Sequence, residues 1–131
     1  MAGSFTDHTE DLVLNWLLTT NTATRPTEWH VGLFTAAPGE TGGGTEVSGG
    51  GYGRKTAAFT VSGADPTEAT NSGAIEFGTA SASWGTITHV AVFDAATSGN
   101  MLVYAELDVA KTISEGDVFR IPAGDLDITL D

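Results

Sequence analysis

The feature that most restricts this chain is the rhythm of its apolar residues after position 28. They come in short runs with a period near two, and each run is fenced by Gly, Pro, Asn or Asp. In WHVGLFT (29–35), Trp29, Val31 and Leu33 alternate with His30, Gly32 and Phe34. KTAAFTV (55–61) and GAIEF (73–77) follow. GTITHVAVFDA (85–95) is the clearest, with Ile87, His89, Ala91 and Phe93 on one face and Thr88, Val90 and Val92 on the other. MLVYAELD (101–108), DVFRIP (117–122) and DLDITLD (125–131) complete the set. The last alternates Leu126, Ile128 and Leu130 with Asp125, Asp127, Thr129 and Asp131, the pattern of a half-buried strand with a carboxylate-rich outer face. AAPGETGGG, SGADPTEATNSG, ATSGN, SEGD and PAGD supply the turns. Seven short strands so spaced predict a mainly β fold, an antiparallel β-sandwich or jelly-roll-like arrangement.

One segment breaks the rhythm. SFTDHTEDLVLNWLLTT begins with the cap-forming residues Ser4, Thr6 and Asp7. Asp7, Glu10 and Asp11 then favour a helix N-terminus. The spacing predicts one N-terminal α-helix over about 6–18. Leu12, Val13, Leu14, Trp16, Leu17 and Leu18 cover more than one face, so this end should be buried on several sides, by its own sheet and by a neighbouring subunit. With 131 residues, no repeat and no linker, the chain is read as a single domain over 1–131.

Composition removes several function classes. Seventeen acidic residues against five basic give a net charge of −12, which repels nucleic-acid backbones and anionic membranes. Cysteine is absent, so disulfides, thiolate metal sites and cysteine nucleophiles are excluded. The opening MAGSFTDHTEDL lacks the basic n-region and apolar core of a signal peptide, and the longest apolar run is too short to span a bilayer.

TEVSGGGYGRKT (45–56) is the one stretch that imitates a catalytic motif. A phosphate-binding P-loop needs its lysine directly after the final glycine and a helix after that. Here Arg54 intervenes before Lys55, and a strand pattern follows. The segment is therefore read as a flexible connector between strands. Arg54 and Lys55 would pair with acidic groups on the same chain or on a partner. His8, His30 and His89 lack metal-ligand spacing, and Asp125, Asp127, Asp131, Glu106 and Asp108 read as a solvated strand surface. No nucleophile elbow or triad order is present, so the chain is not expected to be an enzyme or to hold a cofactor or metal. Trp16 and Trp29 read as core or interface, while Trp84, before a glycine at a strand entrance, stays open between core and surface.

WHVGLFTAAPGE, TEVSGGGYGRKTAAFT, NSGAIEF, SASWGTITHVAVFDA, GNMLVYAELDVAKTI and GDVFRIPAGDLDITL, together with the helix DLVLNWLL, carry a resemblance over nearly the whole chain. In this order they resemble a widespread family of small bacteriophage virion proteins, often labelled tail fibre proteins, some of them similar to capsid decoration (cement) proteins. The resemblance implies a β-rich virion component, made in the host cytoplasm, with no catalytic residues. A shaft needs heptads or long repeats, and this chain has neither. The expectation drawn is a capsid cement protein on the shell exterior, a homotrimer by analogy with such proteins, with the major capsid protein as partner. The alternative is a tail fibre or baseplate-associated module among tail proteins, meeting host glycans through Trp84 or Tyr52. The residues expected at subunit or capsid contacts are Leu12, Trp16, Leu17, Tyr52, Arg54, Lys55 and Trp84.

Overall fold

The computed structural model describes residues 1–130. In chain order the elements are β1 (Ala2–Phe5), α1 (Asp7–Leu18), β2 (His30–Ala36), β3 (Thr45–Glu46), β4 (Lys55–Thr56), β5 (Phe59–Ser62), β6 (Thr67–Asn71), β7 (Ile75–Glu76), β8 (Gly85–Phe93), β9 (Met101–Ile113), β10 (Arg120–Ile121) and β11 (Asp127–Leu130). The mainly β class with one N-terminal helix is the one the sequence predicts.

One large sheet has the order β3-β2-β8-β9-β1-β11-β6-β5. Its pairs are antiparallel except β1 with β11, which run parallel. The exception follows from β1 entering between β9 and β11. β4 hydrogen-bonds to β2, through His30 opposite Thr56, while β5, three residues on, pairs with β6. One continuous stretch of chain thus joins β2 to the far end of the sheet, which curls over to enclose its core.

Inside lie Val31 and Leu33 of β2, Val90 and Val92 of β8, Ala105 of β9 and Ile128 of β11. Ile87 joins them, although simple alternation places it on the face of His89 and Phe93. The cause is a register slip between β8 and β9 at Ile87–His89, which turns the strand over. At the Gly85 end of β8 the core is plugged by aromatics: Phe77 packs against Tyr52, Trp84 and Phe119. The small β7–β10 ribbon closes this end with Ile75 and Ile121. On the outer face of β2, β8 and β9 a second, smaller cluster forms from Phe34, Ala91, Phe93 and Met101.

Three strands escape the sequence pattern. β6, TEATN, is too polar to show a period and follows Pro66, so it reads as a turn. β1 is four residues of mixed character, and β3 is two residues at the start of the glycine-rich segment. The terminal strand forms as expected over Asp127–Leu130, and Asp131 lies outside the described residues.

Candidate functional site

Thr6 caps α1. Its hydroxyl accepts from the Thr9 N–H at 3.4 Å and donates to the Met101 carbonyl at 2.7 Å. The Thr9 hydroxyl donates to the Leu102 carbonyl at 2.8 Å. These bonds staple the first turn to the start of β9. The far end has no such staple. Thr19 and Asn21 bond to Asn15 and to each other, within the same segment.

Leu12 and Val13 lean over the sheet and are half-buried. Four residues on, Trp16 and Leu17 continue the same stripe beyond the sheet and are 70% and 62% exposed. Leu14 and Leu18 are exposed too. The burial expected from this chain's own sheet therefore reaches Leu12 and Val13 and stops there.

Beside this overhang lies an apolar groove of about 550 Å³. Leu12 and Val13 form one wall, Phe59 and Val61 of β5 line another, and Val103 and Ile128 lie in it as extensions of the core. Among the described lining residues only Arg25 and Glu68 carry charge.

The glycine-rich segment is held very differently. The Arg54 guanidinium grips Glu46 with two bonds, Nε to Oε2 at 2.9 Å and Nη2 to Oε1 at 2.9 Å. Its Nη1 donates to the carbonyls of Ala95 and Ser98, and the group lies 3.5 Å from the centre of the Phe93 ring. The Tyr52 hydroxyl donates to Glu46 at 2.6 Å and accepts from the Leu33 N–H at 2.9 Å. Burial opposes ionisation of Glu46, but the bonds from Arg54 and Tyr52 outweigh it and hold the carboxyl below its ordinary range. Burial, and then the bond to Glu46, push the Tyr52 hydroxyl well above its usual value.

Two glycines make room for this strap. A side-chain carbon at Gly32 would stand 2.6 Å from Glu46 Oε2 and 3.1 Å from the Tyr52 hydroxyl. Gly50 has φ +61°, and a carbon there would meet the Trp84 ring at 2.9 Å. The Gly50 carbonyl accepts from Trp84 Nε1 and from the Ser81 N–H, each at 2.9 Å.

The seven residues expected at contacts thus divide. Arg54, its side chain 8% exposed, and Trp84, 5% exposed, are committed within the chain, and Tyr52 joins them in the strap. Neither Arg54 nor Trp84 offers a surface to a partner or a glycan, because every polar group they carry already has a partner in the fold. The connector expected to be flexible is bonded to β2 at both its ends, through Thr45–Val47 and Lys55–Thr56, and between them through the Tyr52 hydroxyl. Lys55 sits half-buried on β4. Leu12, Trp16 and Leu17 remain together at the helix.

The histidines do not converge: His30 stands opposite Phe93 and His89 opposite Phe34, so they are separated along the β2–β8 ladder. His30 lies 3.2 Å from Glu28, and His89 3.6 Å from Glu106. Asp108 and Asp125 are exposed and Asp127 is half-buried. A carboxylate group that sequence spacing could not show does assemble: Asp7, Glu10 and Glu40 bring ligand oxygens within 4.8 Å of one another on the exposed surface. Glu40 is brought there from a distant turn, where its backbone carbonyl accepts from the Asp7 N–H. Its side chain accepts from the Tyr104 hydroxyl, and that bond raises the tyrosine above its ordinary pKa.

Residues 4–129, from within β1 to within β11, match the family model described as "Podophage GP4 fiber I protein gp80". No curated protein matches the chain.

Proposed function

Because the chain belongs to this family of podophage fibre proteins, we propose that it is a compact structural module of the tail fibre apparatus, in contact with other tail proteins. The family match over nearly the whole chain carries the reading. It fits the tail fibre alternative better than the capsid cement role expected first, for which the match gives no support.

The dimensions favour a module over a shaft. β9, at 13 residues the longest strand, reaches about 43 Å at the usual rise per residue. α1, with 12 residues, reaches about 18 Å. The role is one of contact and not of chemistry. Glu46, the carboxylate most enclosed by partners, has both oxygens taken by Arg54 and Tyr52 and none free for a substrate.

Quantitative mass spectrometry of purified virions tests this. The expected copy number is a small fraction of that of the major capsid protein, with antibody labelling at the tail. A count near that of the capsid protein, with labelling over the shell, would overturn the fibre reading and restore the cement one.

A further inference from the structure

We propose that the last turn of α1 is a knob that seats in the apolar groove of a second copy of this chain. The knob is Trp16 with Leu17, and the groove is the one that lies beside it. The inference is independent of whether the protein sits on the tail or the shell.

Charge selects the partner and the place. Each copy carries a net charge of −12, so two copies repel over most of their surfaces. From Leu12 to Thr24 no residue is charged, and among the described residues of the groove only Arg25 and Glu68 are, one of each sign. Knob and groove are therefore an uncharged surface through which like copies can meet without that repulsion.

Area supports the same pairing. Leu14, Trp16, Leu17 and Leu18, with Val61 and Leu130 at the groove, are each more than half exposed. Trp16 and Leu17, on the groove side of the helix, with Val61 and Leu130 leave on the order of 500 Å² exposed per copy, more than half of the roughly 800 Å² per partner of a stable protein interface, while Leu14 and Leu18 face the other side of the helix. A monomer rarely leaves so large an apolar patch uncovered. A groove of about 550 Å³ accommodates a tryptophan with a neighbouring leucine, and a tryptophan seated in a dry pocket is the usual anchor of such contacts.

Shape supplies the final argument. The convex and the concave patch occur on one chain, so each copy both gives a knob and receives one. Such a contact closes as a mutual two-fold exchange or as a ring, and a closed assembly of copies leaves neither patch in water. Within one copy the knob cannot reach the groove floor, because the helix that carries it also forms the groove's wall through Leu12 and Val13.

Sedimentation velocity on the full chain, across a concentration series, tests the proposal. The wild type should associate with rising concentration, and its tryptophan emission should move to shorter wavelength as it does. Trp84 is already buried, while Trp29 lines the groove, so the shift reports Trp16 together with Trp29, and its size in Trp16→Ser separates the two. Trp16→Ser with Leu17→Ser should weaken association at least about 30-fold, with the far-ultraviolet circular dichroism unchanged. Val61→Glu, at an exposed groove position, should do the same from the other side. Mixing the two variants should restore association, because the second brings an intact knob and the first an intact groove. A wild type that stays monomeric at high concentration overturns the proposal and points to another virion protein as the occupant. Two monomeric variants that fail to rescue each other overturn it too, and a Val61→Glu variant that associates like the wild type overturns it and means that helix ends pair with helix ends.

Discussion

The strap over Gly32 and the last turn of α1 are held on one molecule by opposite means. In the strap, Glu46, Tyr52 and Arg54 come from one short segment, and each closes on the others or on a backbone carbonyl or amide. The side-chain polar atoms of these three residues all have partners, so they are committed to the fold. The helix end has an apolar stripe with nothing against it, and its few hydrogen bonds stay local. The difference teaches where this protein is finished as a monomer and where it is not. Saturated polar groups mark the finished part, and uncovered apolar side chains mark the other.

The largest effect should come from Arg54→Ala. It strips Glu46 of its bidentate partner, leaves that carboxylate largely enclosed and uncovers Phe93. A loss of about 3 kcal/mol or more is expected in chemical denaturation; a loss under about 1 kcal/mol would mean that the strap is not the lock described here. Next comes Gly32→Ala. The added methyl enters the space of Glu46 and Tyr52, and the expected cost is about 1–3 kcal/mol by the same measurement. Third is the acid limb of stability. Glu46 titrates lower in the folded chain than its ordinary 4.5, so its contribution is complete above that value and is lost as pH falls through the folded value. Asp94 is also lowered: burial opposes the shift, but hydrogen bonds from Asn100 outweigh it. Glu46→Gln should therefore shallow the acid limb without abolishing it, and an unchanged slope would remove Glu46 from the account. Smallest of all, Trp16→Ser should change the stability of dilute protein by under about 0.5 kcal/mol. A loss several times larger would show that the overhang is packed already, and the contrast would fail.

Much of the fold was legible in the sequence because it depends on local periodicity. The helix was expected over about 6–18 and runs Asp7–Leu18 behind its Thr6 cap, since capping residues and apolar spacing act within a few residues of each other. β8 and β9 were legible for the same reason. β6 was not, because it is held by backbone pairing to β5 and β11 on either side, and only Asn71 in it is buried. Ile87 was placed on the wrong face because a register slip leaves no trace in one strand's alternation. The glycine-rich segment misled in a more instructive way. Glycine was read as freedom, whereas Gly32 and Gly50 are there so that side chains can approach the backbone closely. One signal was present. Arg54 is one of five cations in the chain, and Glu46 and Tyr52 precede it within the same segment. The helix end was read as needing more cover than its own sheet provides, because its apolar stripe is wider than one face, and the structure leaves Trp16 and Leu17 exposed.

The insertion of β1 between β9 and β11 also sets a schedule for folding. Without β1 the sheet falls into two pieces, β3-β2-β8-β9 and β11-β6-β5. Residues 2–5 bond to partners more than ninety-five positions away, so the two pieces can be joined only once the chain as far as β11 has left the ribosome. Such distant pairing carries a high loop-closure cost and makes for slow folding. Until it is complete, the emerging chain carries two incomplete sheets with unpaired edges, and this interval is when it is most exposed to mispairing with other copies.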